Sequence, residues 1–242
     1  MLDGKVVIIT GSGGGIGRYV AKTFAQEHAK VVVCDIKPLD NVSKDLEELE
    51  ADYFAVPADV TDEKSVRNLM DTVMSRYGRI DVLHNNAAIV THFQWANEVW
   101  PRIAELEPSF WNKVIQTNLG GTFMCTHFAL PHMEAQRSGH IISTMGGSGA
   151  VGGSPYQVSK DAIGTFTRMV ANEEKDYNIC VVAMGPNVRG VTGIATEDAP
   201  EEARQRMNGV EIVGNRFVLA AQAGMELSGS RLDVEDGKLV AF

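Results

Sequence analysis

The chain is short of thiols, of cations and of long apolar runs, and each shortage removes a class of function. Its three cysteines, Cys34, Cys125 and Cys180, are odd in number and lie in apolar stretches. That pattern excludes a disulfide framework or a cysteine metal site and reads as reduced thiols of a cytoplasmic protein. Only 22 Lys and Arg stand against 31 Asp and Glu, a net charge of −9. A nucleic-acid or anionic-membrane partner needs a basic surface and is not expected. No apolar run approaches the ~18 residues that cross a bilayer, and a strand begins almost at the first residue, leaving no room for a signal peptide. The six histidines lack the i, i+4 spacing of a helical metal site and have no acid cluster beside them, so no metal is expected.

What is present is the material of one α/β domain. The 242 residues, 44% hydrophobic and 22% charged, suffice for a single large domain over 1–242, and no linker or repeat divides them. Short β-branched runs alternate with helix-length segments, the pattern of βαβ units in a doubly wound parallel sheet of about seven strands, a Rossmann fold. The strands are placed at Lys5–Thr10, Val31–Asp35, Tyr53–Val56, Asp81–His84, His140–Thr144, Ile179–Met184 and Arg231–Val234. Ile16, Val20 and Phe24 share one face of the first helix. Long helices are expected at Ser109–Glu134 and Pro155–Tyr177, a short one at Glu201–Met207, and a last one at Val210–Gln222.

The first strand runs into Thr10-Gly-Ser-Gly-Gly-Gly15-Ile-Gly17, a glycine-rich turn that opens a helix. Gly11 permits the tight turn, Gly15 lets backbone approach a pyrophosphate, and Gly17 lets helix and strand pack closely. The pyrophosphate would sit at the positive end of the helix, with Ser12, Gly14 and Ile16 around it. Asp35 ends the second strand, 18 residues beyond Gly17. A carboxylate there accepts hydrogen bonds from the adenosine ribose hydroxyls and repels a 2′-phosphate. Gly14 and Ile36 are uncharged where an NADP enzyme would place Arg or Lys, Lys37 being the one nearby cation. The cofactor indicated is NAD.

Tyr156 and Lys160, in Ser-Pro-Tyr-Gln-Val-Ser-Lys, fall one helical turn apart on one face, with Ser154 placed as N-cap and Pro155 as first helical residue. An ammonium ~4 Å from a phenolate at an effective dielectric of ~20 is worth about 4 kcal/mol, enough to move a Tyr from ~10 towards ~7. Such a phenol can act as acid or base near neutrality.

Loop and Tyr–Lys pair, in this order, resemble the classical short-chain dehydrogenase/reductase family from Met1 to about Asp236. The resemblance implies several further roles. Ala58-Asp59-Val60 matches the stretch that binds adenine, although Asp59 also suits a loop acid before a helix capped by Thr61. Asn85-Asn86-Ala87-Ala88 resembles the family's Asn-Asn-Ala-Gly stretch beside the ribose. Asn118 matches the Asn that kinks the fourth helix and holds a proton-relay water. Tyr156 would be the acid/base, and Lys160 would lower its pKa and bind the nicotinamide ribose. Pro186 and Thr192 fall near the family's Pro-Gly stretch at the nicotinamide, Thr192 one residue late. A Ser polarises the substrate carbonyl: counting back 13 residues from Tyr156 selects Ser143, whereas counting along the strand puts Met145 and Gly146 at the site and leaves Ser148 as the nearest later hydroxyl.

The chain departs from the family in a longer segment containing Phe93, Trp95 and Trp100, suited equally to walling a substrate pocket or to a subunit interface. The activity implied is NAD-dependent interconversion of a secondary alcohol and its ketone. The alternatives are a carrier-linked β-ketoacyl reductase and a non-catalytic NAD-binding regulator. Phe123, Phe128, Phe166 and Met169 supply apolar surface beyond what one sheet face needs, and the resemblance implies a homo-oligomer, a tetramer before a dimer, built on the two long helices.

Overall fold

Val6–Thr10 forms a strand with every residue buried, because Val6 and Ile8 point to one side of the sheet and Val7 and Ile9 to the other, and both sides are covered. The computed structural model describes residues 2–90, 101–146, 153–186 and 211–242. Around this strand, β1, lie β2 (Lys30–Asp35), β3 (Tyr53–Pro57), β4 (Val82–Asn85), β5 (Gly139–Thr144), β6 (Ile179–Met184) and β7 (Arg231–Glu235). Their spatial order is β3-β2-β1-β4-β5-β6-β7, all parallel. The order reverses between β1 and β4, so the chain leaves these two strands in opposite directions and opens a crevice at their carboxyl ends.

An eighth strand, β8 (Lys238–Ala241), was not expected. It pairs antiparallel with β7 through a tight turn at Asp236 and Gly237, both at positive φ (49° and 73°). Asp-Gly is a strong signal for such a turn, but Lys238–Ala241 is short and partly exposed and lacks a clear apolar alternation.

Two helical layers cover the sheet. One face packs α1 (Gly15–Gln26), α2 (Asp40–Glu48) and α7 (Glu211–Ala220), through Val20, Phe24, Val42, Leu46, Val213 and Phe217. The other packs α3 (Glu63–Tyr77), α5 (Gly121–Gln136) and α6 (Ser154–Glu174), through Val66, Leu69, Cys125, Met133 and Val170. The expected single helix from Ser109 is α4 (Pro108–Ile115) joined to α5 by a π-helical turn, Gln116–Gly120. That turn carries Asn118, and such turns mark functional sites in many helices. Among the described residues no helix is long and apolar enough to cross a membrane. Glu201–Met207, Phe93, Trp95, Trp100, Ser148 and Thr192 lie outside the described residues.

Candidate active site

The crevice is laced shut at its base by Thr10 and Asn86. The main-chain N–H groups of Asn86 and Ala87 donate to Thr10 Oγ1 at 3.0 and 3.1 Å. Asn86 Nδ2 donates in turn to the carbonyls of Thr10 and Gly11, both at 3.0 Å. Gly11 sits at φ +67°, and a Cβ there would stand 2.6 Å from Ala87 Cα. A Cβ on Gly17 would stand 2.2 Å from the Gly11 carbonyl and 2.6 Å from Asn86 Nδ2, so both positions admit only glycine. Asn86 thus holds the glycine loop through its side chain, and Ala87 and Ala88 continue along the crevice half-buried.

Helix α1 begins after Gly14 with no side-chain cap and no acid in its first turn. Its leading N–H groups and positive end are therefore uncompensated by side chains, the condition for receiving an anion. Ile16 follows at the helix start and is half-buried. Ser12 does not face this space. Its hydroxyl is fully buried, donates to the Ile9 carbonyl at 3.0 Å and accepts from Cys34 N–H at 2.9 Å, pinning the loop to β2.

Asp35 stands half-exposed at the carboxyl end of β2. Its Oδ2 accepts from Gly13 N–H and its Oδ1 from Lys37 N–H, both at 2.9 Å. Each carboxylate oxygen keeps a further acceptor site for a ribose hydroxyl. Ile36 beside it is 75% exposed. Asp59 folds back on its own loop, accepting from the N–H and hydroxyl of Thr61 at 2.8 and 2.7 Å. The cap of α3 is Asp62, which accepts from Lys64 N–H, and not Thr61 as expected. Val60 is buried against Gly121. An uncapped helix start, a loop that only glycine permits and a carboxylate at the end of β2 fit a dinucleotide: pyrophosphate at Gly13–Gly17, adenosine ribose at Asp35.

Asn118 is wholly buried. Its Oδ1 accepts from Ile89 N–H at 2.7 Å, and its Nδ2 donates to the Ile89 carbonyl at 3.1 Å and to Ser159 Oγ at 3.0 Å. Ser159 donates to the Tyr156 carbonyl at 2.6 Å. Asn118 therefore ties the segment after β4 to the first turns of α6, with both of its side-chain amide protons committed. Its carbonyl accepts from Thr122 Oγ1 at 2.8 Å.

Helix α6 starts at Ser154, with Gly153 as its cap and Pro155 in the first turn. The cap expected at Ser154 is displaced by one residue, and the Ser154 hydroxyl is buried without a hydrogen bond. Tyr156 and Lys160 are both buried, and Lys160 Nζ lies 5.6 Å from the Tyr156 ring centre. Nζ donates to the Thr144 carbonyl at 2.7 Å, at the carboxyl end of β5. Burial pushes the Tyr156 phenol up to about 12 and the Lys160 ammonium down to about 7. The expectation that Lys160 draws the phenol towards 7 does not hold in the protein alone. Both groups lose water on burial, which disfavours both charges.

Ser143 is not brought to the phenol. It lies inside β5, paired in register with Asn85 of β4 and Ala183 of β6, and its buried hydroxyl makes no hydrogen bond. Among the described residues Gly146 lies beside the phenol, where a Cβ would stand 2.6 Å from the Tyr156 oxygen. The count along the strand sets the register here, because the ladder holds Ser143 three residues short of the position that Tyr156 faces. Pro186 follows β6 at the same edge of the sheet and is buried.

Sequence reasoning passed over three residues of this edge: Thr10, Thr144 and His84. The first two end strands, at the carboxyl edge of the sheet. His84 follows Val82-Leu83 and begins the polar run His84-Asn85-Asn86, so nothing local set it apart from the asparagines. No group of three or more His, Cys, Asp or Glu that could hold a metal occurs among the described residues.

The comparisons with known proteins agree with this geometry. Residues 5–203 match the family model for short chain dehydrogenases. The chain is 35% identical over 209 residues to a 3-oxoacyl-acyl-carrier-protein reductase, FabG, of Thermotoga maritima, covering 84% of this chain and 81% of that one. It is 31% identical over 255 residues to secoisolariciresinol dehydrogenase of Forsythia intermedia, covering 98% and 89%. A hydroxysteroid dehydrogenase from Escherichia coli superposes with a TM-score of 0.81 at 29% identity, covering 98% and 97% of the two chains.

Proposed function

The chain belongs to the short-chain dehydrogenase family, and from that premise we propose that it is an NAD-dependent oxidoreductase interconverting a secondary alcohol and its ketone. The observation that carries this reading is the burial of Tyr156 and Lys160 one helical turn apart, with Lys160 resting on Thr144 at the carboxyl edge of the sheet. A bound nicotinamide supplies hydride acceptance and donation. Tyr156 gives its proton to the ketone oxygen in reduction and takes the hydroxyl proton in oxidation. A phenol held up at about 12 is the proton-bearing form, ready for the reductive direction. Lys160 binds the nicotinamide ribose and, when charged, supports the phenolate that oxidation requires. Asn118 anchors the relay behind them by fixing α6 to the segment after β4.

NAD is preferred to NADP because Asp35 would face the 2′-position and Ile36 offers no cation. Asn86, Ala87 and Ala88 line the ribose side, Gly13 to Gly17 the pyrophosphate, Asp59 and Val60 the adenine, and Pro186 and Thr192 the amide end. Three free buried cysteines suit a reducing, cytoplasmic setting. The test is a panel of secondary alcohols with NAD, followed at the absorbance of the reduced nicotinamide. Turnover with at least one alcohol supports the reading, and NAD binding without turnover on any alcohol or ketone would favour the regulator instead.

A second reading, reduction of a carrier-linked β-ketoacyl group, is favoured by the likeness to the Thermotoga maritima reductase. Asp35 and the net charge of −9 weigh against it, since an acidic carrier needs a basic dock. Faster turnover of a β-ketoacyl thioester on carrier with NADPH than of any simple ketone with NADH would establish it.

The protein assembles as a homo-oligomer, a tetramer before a dimer. A groove between the α4–α5 helix and α6, walled by Ile115, Leu119, Phe123, Phe166 and Met169, presents apolar side chains to solvent. Phe123 and Met169 are 49% and 50% exposed, an unfavourable surface for a monomer.

A further inference from the structure

His84 is a polar side chain whose cross-strand partners are both apolar. It is wholly buried at the carboxyl end of β4, in register with Ile9 of β1 and Ile142 of β5. Its ring lies against Phe217 of α7, with centres 4.3 Å apart and planes at 35°. Nε2 is 2.8 Å from Thr144 Oγ1, and Nδ1 has no hydrogen-bond partner. A buried imidazole with one nitrogen unsatisfied costs free energy that a valine here would not. The one bond it does make leads to the proposed catalytic pair. Thr144 is the last residue of β5: its hydroxyl meets His84, and its carbonyl accepts from Lys160 Nζ at 2.7 Å.

We propose that His84 is a positioning residue for Lys160: through the Thr144 hydroxyl it fixes the carbonyl on which the ammonium rests, and so sets where that ammonium meets a nicotinamide ribose. The inference rests on the role given to Lys160 above. Thr144 is the last residue of β5, and this bond ties its side chain to β4 beside the ladder pairing it makes with Met184 of β6. The ring can serve beside a cation because it is neutral: burial, and then the charge of Lys160, bring its pKa down to about 3. Phe217, against which the ring lies, is uncharged.

The test is NAD affinity of the whole protein by titration calorimetry, with NADP used instead if it is the tighter ligand of the native chain. Lys160→Met and His84→Val are each expected to weaken binding about tenfold, as loss of one hydrogen bond to a charged group does. Thr144→Val should match His84→Val, and the double variant His84→Val/Thr144→Val should be no weaker than either, the mark of a shared path. His84→Gln, whose amide nitrogen can reach where Nε2 lies, should stay within about twofold of native. A His84→Val protein that melts earlier but binds NAD like native would make His84 a packing residue and overturn the inference. So would additive losses in the double variant, or, if His84→Val does not fold, native affinity in Thr144→Val. Native affinity in Lys160→Met would overturn the reading of Lys160 and this inference with it. Weakened binding in Lys160→Met beside unchanged binding in His84→Val would overturn this inference alone.

Discussion

Gly146 and the Tyr156 phenol are in contact: a single methyl group added at residue 146 would stand 2.6 Å from the phenol oxygen. The place beside the phenol where the resemblance implies a serine is held here by a residue with no side chain. Gly146→Ala should therefore displace the phenol and lower kcat/KM at least tenfold while leaving NAD affinity within about twofold.

The hydroxyl proposed to orient the substrate is then expected elsewhere. Ser143→Ala should leave kcat/KM within about threefold of native, since its hydroxyl has no partner to lose and its removal costs little. Ser148→Ala should lose about tenfold or more, as a polarising donor does. Steady-state kinetics of both variants decide the matter, and the reverse order would restore the count back from Tyr156.

Tyr156→Phe should keep the fold and the NAD affinity and lose turnover by about 10²–10⁴, the range for a positioned proton-transfer group. Retention of more than about a tenth of native kcat would remove Tyr156 from the chemistry.

Discrimination between the two dinucleotides should follow Asp35. Native protein is expected to bind NAD at least tenfold more tightly than NADP, and Asp35→Ala to narrow that gap by weakening NAD. Equal affinities in the native protein, measured by calorimetry, would show that Lys37 or another group outweighs the carboxylate.

Lys160 should cost stability where it serves function. Its ammonium is pulled from 10.5 down to about 7 by burial, so between those values the unfolded chain binds the proton that the folded chain gives up. Stability therefore rises with pH across that window, and the penalty is complete below about 7. Lys160→Met should raise Tm by at least about 2 °C at pH 6.5 and by progressively less towards pH 10. A scan showing no gain at pH 6.5 would contradict the burial argument.

Assembly should be visible in solution. Multi-angle light scattering at micromolar concentration is expected to give the mass of a tetramer, and Phe123→Asp to shift it towards smaller species by placing a charge in the apolar groove. A monomeric mass for the native protein would refute the assignment.

Much of the architecture was legible in the residues because it depends on local pattern. Seven of the strands lie within a residue or so of their expected bounds, since buried β-branched runs between helices have no other stable use. Gly11 and Gly17 were legible for a similar reason: a missing Cβ is the requirement, and the letter G states it. The Tyr156–Lys160 spacing likewise carries over unchanged, because one helical turn is a fixed length.

What only the tertiary structure decided is where side chains find their partners. Ser12 turns into β2, Asn118 pairs with Ile89 and Ser159, and Asn86 clamps the glycine loop, each across a long stretch of sequence. The sign of the Tyr156 shift was set by burial, a property of the whole fold that no spacing encodes. The register of β5 against β4 and β6 placed Gly146, and not Ser143, before the phenol, because ladder pairing and not distance along the chain determines which residue faces a neighbouring helix.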